Sequence, residues 1–256
     1  PSLCIEAADR RAPARKLREN AMINLGISLL VALVVFGIFA VAFSALAAIA
    51  PALIAFLAAY VILAQKAMRQ LNRIAEQAQK EMMAQKLDRA LETFRSGLPL
   101  AKKQFLVGPI LHANIGTLLY VKRDFEAARP HLEQGFSRNY LAKAMLGAYL
   151  FKKGDVEGMK KAFELAVKHG KKDGLTWAVY AYCLEKLGKR EEAMAVLSRG
   201  VEANPTDERL KSNLQALQNN KKLKMRLFAP QFYQFHLEPP PPEFAPGGRR
   251  VIYQRR

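Results

Sequence analysis

Cysteine is scarce in this chain, with two residues, Cys4 and Cys183. No disulfide framework follows from such a pair, and neither has a zinc-ligand companion at the right spacing. Cys183 stands between Tyr182 and Leu184 in a helical pattern and reads as a small core residue. This usage fits a reducing compartment. Histidine is also sparse, and His112, His131, His169 and His236 lie far apart, none with Cys, Asp or Glu at metal or catalytic spacing. Phosphate-binding glycine loops and dinucleotide fingerprints are missing too. The expectation is therefore a protein that is not an enzyme and uses no metal or cofactor.

Acidic residues are in deficit: 22 Asp and Glu face 40 Lys and Arg, a formal charge of +18. An excess of that size attracts anionic partners such as lipid headgroups, nucleic acid or an acidic protein. Part of it reads as topology charge, because basic residues flank the most apolar stretch on both sides.

That stretch is defined by another lack. No charged residue occurs from Asn20 to Gln65. One helix over residues 20–65 would be about 69 Å long, more than twice the ~30 Å of a bilayer's hydrocarbon core. Two spans joined by a tight turn fit instead: Met22–Phe43, then Pro51 through Leu63 and the following turn or two. The turn is expected at Ser44–Ala50, with Pro51 in the first turn of the second span, where its missing N–H is harmless. Gly37, Ala40, Ser44 and Ala47 on one side and Ala52, Ala55 and Ala59 on the other recur at helical spacing, as in closely packed membrane helices. Arg10, Arg11, Arg15, Lys16 and Arg18 precede the hairpin, and Lys66, Arg69 and Arg73 follow it. The positive-inside rule then puts both ends in the cytoplasm, and the short Ala/Arg-rich style suggests a bacterial inner membrane. Neither span carries an ionisable residue, so the hairpin reads as an anchor and not as a transport path.

From Lys66 to Ser96, apolar residues continue at three- and four-residue steps (Leu71, Ile74, Ala78, Leu87, Leu91, Phe94). One amphipathic helix continuing the second span is predicted, ended by Gly97 and Pro99.

Self-comparison is more informative. Leu146, Gly147, Leu150 and Gly154 align with Tyr180, Ala181, Leu184 and Gly188 at an offset of 34 residues, and Met159, Phe163 and Ala166 align with Ala193, Leu197 and Gly200. A third copy upstream has Ile115, Gly116, Leu119, Ala128, Leu132 and Gly135. In Trp177, Tyr180, Ala181, Leu184, Gly188, Ala193, Leu197 and Pro205 the last copy resembles the tetratricopeptide repeat family, a 34-residue helix–turn–helix unit. The middle copy departs at Lys143 and Lys171, where an aromatic and a proline are usual. The first has His112 at the aromatic place, Arg123 at the turn glycine and Pro130 inside its second helix, which should kink or shorten it. Residues 87–98 carry Ala90 and Phe94 in the spacing of a degenerate fourth copy.

The predicted fold is all-α: a two-helix transmembrane hairpin, then a helical solenoid of about three repeats, a capping helix and an extended tail. The segments expected are a basic stretch over 1–20, the hairpin over 21–65, the linker helix over 66–97 and the repeat domain over 98–220. Within the last, repeats are placed at about 109–139, 140–173 and 174–207, with a cap at 207–219. The resemblance implies a concave groove lined by the first helix of each unit, with Thr117, Tyr120, Met145, Ala148, Phe151, Tyr182 and Glu185 as partner-binding positions. The Ala and aromatic lining does not fit the acidic C-termini of chaperones; it fits a peptide or helix with apolar anchors.

The tail over 221–256 opens with Lys221, Lys222, Lys224 and Arg226 and continues with Phe228, Phe232, Tyr233 and Phe235 before Pro239–Pro242. Polyproline II geometry is expected for the prolines. Large apolar side chains are superfluous in a disordered tail, so these four aromatics are expected to contact a partner subunit or the repeats themselves. The function implied is a membrane-anchored scaffold for protein–protein interaction, an accessory subunit or assembly factor of a membrane complex. Its partners would be membrane-embedded subunits, with anionic headgroups meeting the Lys/Arg flanks and nucleic acid disfavoured. The alternative is a basic protein that grips a membrane surface or nucleic acid through those flanks and the tail.

Overall fold

The computed structural model describes residues 23–244. The basic N-terminal segment, Cys4 and the closing arginines lie outside them. The described residues form ten α-helices and no strand: α1 (Ile23–Ala42), α2 (Ala45–Met83), α3 (Leu87–Ser96), α4 (Val107–Val121), α5 (Phe125–Gln134), α6 (Tyr140–Lys152), α7 (Val156–His169), α8 (Gly174–Lys186), α9 (Arg190–Ala203) and α10 (Glu208–Gln218). Two compact units result. One runs to Ile115 and takes in Gln134–Phe136; the other comprises Gly116–Glu133 and the chain from Ser137 onward.

In the first unit α1 and α2 pack side by side as a hairpin. The turn is tighter than expected. Ser44 is the N-cap of α2 and accepts a hydrogen bond from the Ala47 N–H, so the helix starts at Ala45 and Pro51 has its place in the interior. A capping serine is a stronger start signal than a downstream proline. The inward stripe of α1 is Asn24, Ser28, Ala32, Phe36 and Ala40, and that of α2 is Ala48, Ala52, Ala55 and Ala59. Of the expected small-residue contacts, Gly37, Ser44 and Ala47 are exposed, and a Cβ added at Gly37 would meet nothing within 4 Å. At the open end of the hairpin Asn24 Nδ2 donates to Gln104 Oε1 (3.4 Å), and Gln104 Nε2 donates to the Tyr60 hydroxyl (3.0 Å).

The stretch expected as one linker helix is two. Helix α2 ends at Met83, Gln85 adopts a left-handed φ of 59°, and α3 folds back against α2. Thr93 Oγ1 donates to Glu81 Oε2 at 2.7 Å across the bend. Folding back lets Ala90, Leu91 and Phe94 bury against the same apolar stripe that includes Leu71 and Ala78; a straight helix would leave both stripes wet. This unit extends past residue 98, with Gly97 packed beneath Ile74 and Leu111 and the Phe136 N–H donating to the Pro109 carbonyl.

In the second unit α6/α7 and α8/α9 are consecutive antiparallel pairs, and α10 packs on α9. The repeat reaches into the caps: Asn139, Asp173 and Asp207 begin α6, α8 and α10 at the same 34-residue spacing, each accepting from a backbone N–H of the first turn. Gly147 is where the helices of a pair cross, since a Cβ there would lie 2.7 Å from the Phe163 ring. Gly154 and Gly188 end α6 and α8 with φ near 77° and 75°. Arg123 holds the equivalent place after α4 with φ 68°, so the turn keeps its left-handed shape without its glycine. Pro130 lies within α5, which has 10 residues where α7 and α9 each have 14.

Candidate functional site

The first helices of the repeats put Tyr120, Met145, Ala148 and Tyr182 on one side of the second unit. All four are buried, whereas Thr117, Phe151 and Glu185 are half-buried. What buries Tyr120 and Tyr182 is the chain's own tail.

After Asn220 the chain reverses in a left-handed turn and makes two short 3-10 segments, Met225–Phe228 and Gln231–Phe235, joined through a cis Ala229–Pro230 peptide. Asn213 on α10 anchors the start, its Oδ1 accepting from the Lys224 N–H at 2.6 Å. Phe228 is buried with the Arg209 guanidinium 4.6 Å above its ring. Phe232 meets Tyr182 edge-on, ring centres 5.3 Å apart. Further along, the Tyr120 hydroxyl donates to the Phe235 carbonyl at 2.8 Å, His236 Nε2 lies 3.2 Å from the Val121 carbonyl oxygen, and the Tyr182 hydroxyl donates to Glu238 Oε1 at 2.8 Å. The tail thus crosses the repeats in reverse order, from α10 over α8 to α4. Phe228, Phe232 and Phe235 are almost wholly shielded from water and Tyr233 is 9% exposed. Each buried phenylalanine contributes about 1.5–3 kcal/mol toward ordering the segment. Polyproline II does not extend through the fourth proline, because Pro242 begins a 3-10 turn.

Burial governs the electrostatics here. It pushes the Tyr120 and Tyr182 phenols well above the usual tyrosine value, Glu238 adding to the effect at Tyr182. His236 is held below the usual histidine value, first by burial and then by the nearby charges of Arg123 and Lys152, while its bond to Val121 pulls the other way. Cys183 is completely buried and its thiol is pushed far up by desolvation, which makes it an inert packing residue.

His236 and Glu238 belong to this site, and the sequence offered little sign of them, since both act through partners more than 50 residues away. Among the described residues no group of three or more His, Cys, Asp or Glu is placed to hold a metal ion.

Paired helices with period-34 caps, left-handed turns between paired helices and a closing α10 define a helical-repeat fold. Residues 175–217, which span α8, α9 and α10, match the family model for the tetratricopeptide repeat. No curated protein matches the chain.

Proposed function

We propose that this protein is a membrane-anchored scaffold whose repeat domain binds other protein subunits, serving as an accessory subunit or assembly factor of a membrane complex. The observation that carries the reading is the pairing of two features. One is a repeat of a type that mediates protein–protein interaction, matched over residues 175–217. The other is two long helices whose most apolar 18-residue windows have mean hydropathies of 2.8 and 2.5 yet are only 6% and 11% buried. A soluble protein's core helix would be mostly buried. Here Leu30, Val34, Ile38, Leu53, Ile54 and Ile62 all face outward, a surface that lipid would cover.

Lys66, Arg69 and Arg73 follow the second span while the turn has no cation, which favours both ends of the hairpin on the cytoplasmic side of a bacterial-type inner membrane. The reading is non-enzymatic.

The test is affinity purification of the full chain from mild-detergent extracts, with co-purifying proteins identified. Membrane-bound partners retained at high salt support the scaffold. Retention of nucleic acid or lipid alone, lost steeply as salt rises, would favour the basic surface-binder instead.

A further inference from the structure

The tail occupies the side of the repeats where a peptide would be expected, and another cleft is open. It lies between the second helices α7 and α9. It is an open groove of about 1040 Å³, at the upper end of the ~300–1,000 Å³ typical of ligand sites. Its apolar lining comes from Leu165, Val167, Trp177 and Ala203. Leu165 is 39% exposed, a large aliphatic side chain with nothing over it. Two ion pairs lace the helices together along the groove, Lys160–Glu192 at 2.6 Å and Arg199–Glu164 at 2.9 Å, and Arg199 also stacks over Trp177.

The remaining charge is lopsided. Lys161, Lys168 and Lys171 line the groove, all exposed and none in an ion pair among the described residues; Glu202 is the one acid there without a matched base. A groove with an apolar floor and a predominantly cationic rim selects for anchors that are aliphatic and flanks that are acidic.

We propose that the α7/α9 groove is a docking site for an acidic amphipathic segment of a protein partner, its aliphatic side chains over Leu165 and its carboxylates against Lys161, Lys168 and Lys171. This rests on the scaffold reading and specifies the face used and the chemistry of the partner. An anionic lipid surface is the competing occupant. It satisfies the lysines but is too flat to fill a groove.

Trp177 is the chain's single tryptophan and lies beneath Arg199 at the groove, so its emission senses a change there. The full chain, held in a nanodisc of zwitterionic lipid, is titrated with a helical peptide of about 14 residues, the ~21 Å length of α7, bearing Glu and Leu at helical spacing and no aromatic residue. A saturable emission shift is expected, absent with the Lys-for-Glu peptide. The triple variant Lys161→Glu, Lys168→Glu, Lys171→Glu should weaken binding at least about tenfold, as should Leu165→Asp, with circular dichroism unchanged because these side chains are exposed. No saturable shift, an equal response to the reversed-charge peptide, or an unaffected triple variant overturns the proposal. So does displacement of the peptide by phosphatidylglycerol vesicles with the same lysine dependence. The two readings fail separately. Partners that still co-purify with the triple variant sink the groove and leave the scaffold; peptide binding without any co-purifying protein does the reverse.

Discussion

Lys143 and Trp177 stand 34 residues apart at equivalent places in successive repeats and do one job with different chemistry. The Lys143 ammonium donates to the carbonyls of Leu132 (2.8 Å) and Glu133 (3.3 Å), close to the end of α5. The Trp177 indole N–H donates to the Lys171 carbonyl (3.0 Å), just past the end of α7. Lys143 satisfies carbonyls that the end of α5 leaves without an intrahelical donor, and Trp177 satisfies one in the loop that follows α7. The lysine that breaks the repeat's aromatic pattern is therefore a functional substitute for it.

Burial depresses the Lys143 ammonium below the usual lysine value of 10.5, with Glu133 opposing. The folded chain binds that proton less tightly than the unfolded chain does. Lys143 thus contributes most above 10.5, and its contribution is lost as pH falls through the depressed value. Replacing it with methionine keeps the aliphatic stem and removes the dependence. In urea titrations the stability advantage of wild type over Lys143→Met should grow as pH rises toward 10.5. A constant difference would contradict the assignment.

Arg123 bears a left-handed φ in a turn where Gly154 and Gly188 do the same at no steric cost. Arg123→Gly should stabilise the repeat unit by about 0.5–1 kcal/mol, seen as a higher denaturation midpoint with an unchanged slope. It should also relieve His236 of a repelling cation, raising the histidine's titration midpoint in NMR.

Phe232 is fully buried between tail and repeats. Phe232→Ala should cost about 3–5 kcal/mol, borne by tail docking and not by the helices. Proteolytic cleavage beyond Asn220 should accelerate at least about 100-fold, while helical circular dichroism barely changes. Global unfolding in this variant would mean that the tail is part of the cooperative core.

Tail docking should weaken at both ends of the pH scale. His236 has a depressed folded value, so its contribution is complete above ~6.5 and declines as pH falls below that. Tyr120 and Tyr182 have raised folded values, so theirs is complete below ~10 and is lost as pH climbs further. A fluorine label on Phe232 would report both limbs by its shift toward the free position. Tyr182→Phe should blunt the alkaline limb and leave the acid one intact.

The fold was legible where a small residue is forced. Gly147 under Phe163 and Gly154 and Gly188 in left-handed turns imprint the 34-residue period directly. The break after Met83 was not legible, because Ala84, Gln85 and Lys86 are all good helix formers and the bend is driven by burial of Leu91 and Phe94. The tail showed its need for a surface through four aromatics but not its route. That route is set by a backbone carbonyl at Phe235 and by Glu238, which no periodicity marks.

The tail's docking has a thermodynamic consequence for anything that would use the concave face. Only Lys221–Lys224 separate the reversal at Asn220 from the first docked segment, Met225–Phe228. A tether that short holds the aromatic segment at an effective concentration on the order of millimolar. A competitor from another molecule must outbid a ligand that never diffuses away, so an ordinary micromolar peptide would find this face closed.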